Sequence, residues 1–150
     1  MKSWLRDRYS VAFERPLDHR RRLDAALWSR IRGNPSCQGT MDIALEWEWD
    51  NNKVARDFPT GDFRKLLEVD AQCGLALIQT RVDGKRGSAQ ADNTISRLQG
   101  AYKKYRRDSR SVALIEIRRV FHQEERVEFL CYFQDLDAHT KQETGRWSYP

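Results

Sequence analysis

Between Met41 and Lys53 the chain reads M-D-I-A-L-E-W-E-W-D-N-N-K, and no other stretch restricts the fold as much. Ile43, Leu45, Trp47 and Trp49 alternate with Asp42, Ala44, Glu46, Glu48 and Asp50. A period of two is what an extended strand converts into one apolar and one polar face. The expected arrangement sets Trp47 and Trp49 against the core and leaves Glu46 and Glu48 sharing a cleft. Residues two apart on a strand stand roughly 6.6 Å apart along it, so Asp42, Glu46 and Glu48 form a row of like charges. Either the row faces water, as on an edge strand, or a cation sits among the acids. Mg²⁺, with Mn²⁺ as the alternative, suits the second case: it prefers hard carboxylate oxygens and keeps positions open for water and phosphate.

A chain of 150 residues, 39% of them hydrophobic, is sized for one domain, 1–150, around a single core. It has no run of 18 apolar residues, and Met1 to Arg8 lacks the apolar centre of a signal peptide, so a cytoplasmic protein with no membrane partner is expected. Cys37, Cys73 and Cys131 and the scattered His19, His122 and His139 match neither a disulfide framework nor a zinc-ligand spacing. The net charge of +5 is unevenly spread. Residues 1–40 carry nine Lys/Arg against four Asp/Glu, residues 81–110 carry nine against three, and residues 41–62 carry two against six. Acids framed by basic segments are what a metal-dependent nuclease needs, because the surroundings must attract phosphate while the acids hold the metal. A well-solvated charged surface gives the same count.

Along the chain, Tyr9, Val11 and Phe13 suggest either a short strand ended by Pro16 or a loosely packed arm. Leu23, Leu27 and Ile31, with Ala26 and Trp28 alongside, give an apolar stripe that predicts a helix over 17–32, stopped by Gly33-Asn34-Pro35, with a polar connection to residue 40. Asp50-Asn51-Asn52 reads as a turn. A short helix follows over 62–69, with Thr60 or Asp62 placed to cap it, then a buried strand over 75–80; strand, helix, strand in this space predicts a parallel crossover. Residues 82–90 hold Gly84, Lys85, Arg86 and Gly87 and read as a basic loop, where Lys85 and Arg86 are candidate phosphate ligands. Ala91, Ile95, Leu98, Tyr102 and Tyr105 recur at helical spacing. That helix ends in Lys103, Lys104, Arg106 and Arg107, a cluster that either serves the helix dipole or binds nucleic acid. Residues 112–120 and 126–133 predict a β-hairpin, and 135–150 a polar tail.

Glu46-Trp47-Glu48-Trp49-Asp50-Asn51-Asn52-Lys53, then Arg56-Asp57, Asp62-Phe63-Arg64-Lys65-Leu66 and Gly74-Leu75-Ala76-Leu77-Ile78-Gln79-Thr80-Arg81, resemble type II restriction endonucleases of the BamHI/BglII kind, in the PD-(D/E)XK nuclease superfamily. The resemblance covers residues 46–81, about a quarter of the chain. It implies an α/β (α+β) fold, a restriction-endonuclease-like mixed β-sheet with helices on both faces. It also implies Mg²⁺-dependent hydrolysis of phosphodiester bonds in double-stranded DNA, and it admits a homodimer. On that resemblance Glu46 is the metal-binding acid, Glu48 stands where the superfamily's lysine is found and orients or deprotonates the attacking water, and Lys53 is the nearest assisting cation. The family has a further acid at the end of the preceding strand. Nine residues before Glu46 this chain has Cys37, and Asp42 is the nearest acid to replace it, with Asp24 and Glu14 as others that can reach the site from the N-terminal elements. Two functions compete: a metal-dependent endonuclease using Asp42, Glu46, Glu48 and Lys53, and a non-catalytic nucleic-acid-binding or accessory protein on the same fold.

Overall fold

In chain order the elements are strand β1 (Tyr9–Pro16), β2 (Arg22–Arg30), β3 (Gln38–Glu48), helix α1 (Asn51–Arg56), α2 (Asp62–Glu68), β4 (Cys73–Asp83), α3 (Gly84–Tyr105), β5 (Ser111–Phe121), β6 (Val127–Asp135) and β7 (Thr140–Tyr149). They belong to a computed structural model that describes residues 9–16, 22–30, 38–106, 111–122 and 127–149. All seven strands form one mixed sheet whose spatial order is the chain order. β1, β2 and β3 pair antiparallel, β3, β4 and β5 pair parallel, and β5, β6 and β7 pair antiparallel again. Parallel neighbours need a crossover, and the two parallel steps are the two places where helices intervene. The mixed α/β class and the strand, helix, strand unit expected around residues 46–80 are therefore present.

The three helices share one face of the sheet. Their apolar residues Val54, Phe63, Leu66, Leu67, Leu98 and Tyr102 join Ala44 of β3, Ala76 and Ile78 of β4, and Leu114 of β5 in one buried cluster. Among the described residues no helix covers the opposite face, which differs from the two-sided arrangement that the resemblance implies. β4 shows the asymmetry directly. Gly74, Ala76, Ile78, Thr80 and Val82 are buried, while Leu75, Leu77 and Gln79, pointing the other way, are only half-buried.

Several expectations are corrected. The segment read as a helix over 17–32 is strand β2 where it is described, from residue 22 to residue 30. Leu23 and Leu27 are four apart, a spacing that is one helical turn and also two strand repeats, so the stripe did not discriminate. Pairing with β1 on one side and β3 on the other overrides the helical preference of Leu and Ala. Residues 31–37 of the predicted helix end and connection, Cys37 among them, lie outside the described residues, and 38–40 belong to β3.

Residues 82–90 are not a loop. Val82 and Asp83 end β4, and α3 starts at Gly84. Gly84 has φ +61°, the left-handed value that lets the chain turn sharply from strand to helix. At Gly87 a Cβ would lie 2.8 Å from the Val82 Cα, so the first turn of the helix rests directly on the strand end. At α2 neither expected side-chain cap forms: the N-cap is Gly61, Thr60 Oγ1 donates to the Asp57 carbonyl at 3.3 Å, and Asp62 pairs with Lys65. Residues 140–149, read as a polar tail, are the edge strand β7, paired with β6 from Asp135↔Thr140 to Val127↔Tyr149. Its side chains are almost all exposed, so it carries little hydrophobic pattern. Ladder hydrogen bonds hold it, and Arg146 adds ion pairs to Glu128 at 3.0 Å and Glu143 at 2.9 Å.

Candidate functional site

The polar face of β3 points inward. Ala44 and Glu46 lie beneath the helices with 0% and 1% exposure, whereas Trp47 is half-buried and Trp49 is 45% exposed. The expected assignment of faces is thus reversed. At this point of the sheet the strands meet the bulky apolar groups of the helices with small residues, Ala44 beside Gly74 and Ala76 beside Glu46. That packing leaves a carboxylate in an apolar layer.

Helix α2 supplies its counter-charge. Phe63, Leu66 and Leu67 seat the helix on the sheet, and Lys65, on the flank of that face, places Nζ 2.8 Å from Glu46 Oε1 and 2.9 Å from Asp62 Oδ1. Despite the short distance to Lys65, Oε1 is buried without a well-aligned hydrogen bond. On the other side, β2 contributes Asp24, one step along from the Ala25↔Leu45 pair. Its Oδ2 accepts a hydrogen bond from the Trp47 N–H at 2.7 Å.

Burial, the largest influence, raises the Glu46 pKa to about 8 against the pull of Lys65, and the charges of Asp24 and Asp62 push it the same way as burial. Burial works against the charge on Lys65, but the neighbouring carboxyl groups of Glu46 and Asp62 outweigh it and its pKa rises. Taken together these shifts conflict, one favouring a neutral Glu46 and the other a fully charged partner. The near-complete burial of Glu46 governs the pair, and the more exposed Asp62 balances the remaining Lys65 charge.

The other sequence candidates do not gather here. Asp42 sits at the register shift between β2 and β3, where Leu27↔Ile43 is followed by Trp28↔Met41. Glu48 Oε1 accepts the Asp50 N–H at 2.9 Å. Among the described residues no group of three or more His, Cys, Asp or Glu is close enough to hold a metal ion, so Asp42, Glu46 and Glu48 do not form the ligand trio expected of them. Lys53 is exposed on α1, where its N–H donates to Asp50 Oδ1 at 3.3 Å, and the cation at Glu46 is Lys65 instead. Glu14 is on β1, with its side chain outside the description.

The basic candidates split into two sets. Arg86 is exposed in the first turn of α3, which also contains Lys85, at the sheet end where β3 and β4 terminate. Lys103 and Lys104 are exposed in the last turn, roughly 26 Å away at 1.5 Å per residue. Arg106 is engaged, pairing with Asp137 and covering the Tyr102 ring at 5.1 Å. Arg107 lies outside the described residues.

A second buried polar group was missed by the sequence reading. Glu116 on β5, fully buried, accepts from Thr80 Oγ1 at 2.5 Å, Arg118 Nε at 2.9 Å, Arg118 Nη2 at 3.2 Å and Gln134 Nε2 at 2.9 Å. Arg118 also reaches Asp92 of α3 at 2.9 Å. Every carboxylate oxygen has two donors, which is the condition under which a buried charge pair is tolerated, and the network ties β4, β5, β6 and α3 together. The signal was available: Glu116 and Arg118 share the parity of the buried Leu114 in a strand pattern. Asp24 and Lys65 had weaker signals, a single acid inside the apolar run Leu23–Trp28 and a lysine three residues after Asp62 on an apolar helix. Comparison of the chain with protein-family models, curated proteins and solved structures returned no match.

Proposed function

We propose that the chain is a metal-dependent, restriction-endonuclease-like hydrolase of phosphodiester bonds in double-stranded DNA. The observation that carries this reading is the nearness of Asp24 on β2 to Glu46 on the adjacent antiparallel strand, where Asp24 accepts the Trp47 N–H, with Lys65 brought to Glu46 by the helix that follows. The resemblance calls for an acid on the strand before Glu-x-Glu, and Asp24 on β2 fills that role in place of Cys37 or Asp42. It also calls for a cation near the acids, which Lys65 supplies in place of Lys53.

The residues suit a hard divalent ion. Two neighbouring carboxylates are available, and Glu46 Oε1 is buried without a well-aligned hydrogen bond, while Mg²⁺ needs only one or two protein carboxylates alongside water and phosphate. Held by Asp24 and Glu46, Mg²⁺ or Mn²⁺ would supply Lewis-acid polarisation of the phosphoryl group and a more acidic water. Lys65 keeps a positive charge beside the acids and offsets negative charge that develops on the phosphate. Glu48, next on the same strand, orients water. Lys85 and Arg86, in the α3 turn at the same end of the sheet, draw the DNA backbone toward the acids.

The second reading, a non-catalytic nucleic-acid-binding protein, is favoured by one observation: Lys65 Nζ already stands 2.8 Å from Glu46 Oε1, the carboxyl a metal would need. Nicking of supercoiled plasmid in Mg²⁺ or Mn²⁺, with EDTA as control, separates the two. Wild type should nick, Asp24→Asn and Glu46→Gln should lose about 10²-fold or more, and Lys65→Ala should lose a comparable amount, the scale of removing one preorganised charge at a reacting centre. If wild type shows no metal-dependent nicking, or if Asp24→Asn nicks as well as wild type, the binder replaces the nuclease.

A further inference from the structure

The sheet face that no described helix covers carries an ordered set of aromatic rings and guanidinium groups. One row crosses four strands in direct register, Arg81 of β4 beside Arg119 of β5, Arg119 beside Phe129 of β6, and Phe129 beside Trp147 of β7. The next row reads Asp83, Phe121, Val127 and Tyr149. Trp147 is 41% exposed and Tyr149 60%, large values for aromatic side chains in strand positions. Phe129 stacks on Trp147 with centroids 5.7 Å apart and planes at 6°, and it meets Tyr149 edge-on at 6.0 Å. Arg119 lies over Phe121 at 4.6 Å and over Phe129 at 5.9 Å, and Arg81 covers Phe121 at 4.5 Å.

Among the described residues the charges of these two rows are unbalanced. Asp83 is the acid of the two rows, and it pairs with Arg81 at 2.8 Å. Arg119 has no acidic partner among the described residues, and its buried Nε has no hydrogen-bond acceptor. Arg119 stands directly across from Arg81 on the neighbouring strand, and the single acid of the two rows, Asp83, is taken by Arg81. A partner that is both flat and anionic meets both conditions: rings to stack on exposed indole and phenol, and phosphates for the arginines.

We infer that this face binds single-stranded nucleic acid, stacking bases on Trp147, Tyr149 and Phe129 and taking backbone phosphates on Arg119 and Arg81. Single strands suit the surface because their bases are free to lie on aromatic side chains while a basic track follows the backbone. Duplex DNA hides its base faces. A second copy of the chain is the weaker occupant, since it would bury Arg119 against apolar rings without an acid to pair it. The surface lies on the other side of the sheet from Glu46, so it stands or falls independently of the nuclease reading.

The test is fluorescence anisotropy of labelled oligo(dT) and oligo(U), about twelve nucleotides long to match a single-strand site, titrated with the full chain in EDTA. Trp147→Ala and Tyr149→Ala should each weaken binding by about tenfold, the size expected for loss of one base stack. Trp147→Phe, which keeps a ring, should retain most of the affinity and so guards against misfolding of the edge strand. Arg119→Ala should weaken binding and flatten its salt dependence. Absence of binding, equal affinity of Trp147→Ala and wild type, or heparin competing as well as oligonucleotide would overturn the inference. So would a dimer in sedimentation that Trp147→Ala dissociates, because the face would then be an interface between copies.

Discussion

Glu46 is the buried acid at the centre of the proposed site, and its environment has a measurable consequence for folding. Its pKa is raised from the usual carboxylate value near 4.5 to about 8, chiefly by burial, with Asp24 and Asp62 pushing up and Lys65 pulling down. The folded state therefore holds a proton that the unfolded chain releases at lower pH. The resulting stabilisation is complete below pH 4.5 and is lost as pH rises through 8. Between those limits the unfolding free energy should fall by up to about 1.4 kcal/mol per pH unit, the linkage slope of one proton. Urea unfolding of wild type and Glu46→Gln at pH 5, 6.5 and 8, settings chosen across that window, checks this. The Gln variant should lose much of the pH slope and be the more stable protein at the alkaline end; an unchanged slope would show that Glu46 is ionised throughout. None of this is written in the residue type. A glutamate in an alternating strand is acidic and solvated by default, and only the helix laid over it changes its proton affinity.

Elements divide into those that speak for themselves and those that depend on neighbours. Helix α3 was legible because Ala91, Ile95, Leu98 and Tyr102 bury one stripe along its length, and α2 because Phe63, Leu66 and Leu67 do the same over two turns. β3 was legible as a strand but not in orientation. Two substitutions measure that reversal. Phe63→Ala removes a fully buried ring from the helix-side core and should cost about 3–5 kcal/mol. Trp47→Ala, on the half-covered face, should cost less than about 2 kcal/mol, nearer the range of partly exposed sites. Denaturant midpoints with unchanged m-values provide the comparison, and a larger loss for Trp47 than for Phe63 would mean that the open face is covered in solution. β2 and β7 were illegible for opposite reasons. The apolar residues of β2 fall on both parities because Leu23, Ala25, Ala26 and Trp28 are all buried, and β7 buries almost nothing.

At the scale of the molecule, the two basic clusters of α3 stand the length of the helix apart. Lys85 and Arg86 belong to the end of the sheet where β3 terminates, and Lys103 and Lys104 to the other end. A duplex engaged at Glu46 should feel the first pair and not the second. Replacing Lys85 and Arg86 together by Ala should lower plasmid affinity and reduce the steepness of its salt dependence by about one unit for each phosphate no longer neutralised. The Lys103→Ala/Lys104→Ala double variant should leave both near wild type. Binding measured from about 50 to 200 mM salt, where counterion release dominates, distinguishes the pairs; equal effects from both would indicate a footprint spanning the whole helix.

By itself the sequence determined the mixed α/β class, the parallel crossover from β3 to β4, the buried stripe of α3 and the hairpin of β5 with β6. Each of these follows from periodicity within a single segment or from the length of the connection between two. It also singled out Glu46 as the acid of interest. Only the tertiary structure decided that Glu46 faces inward, that Asp24 and Lys65 rather than Asp42 and Lys53 stand beside it, and that Arg118 closes a buried network around Glu116. A period of two sorts residues onto two faces without saying which face the helices will cover. Partners contributed by other elements are set by strand register and helix packing, which depend on the whole chain folding at once.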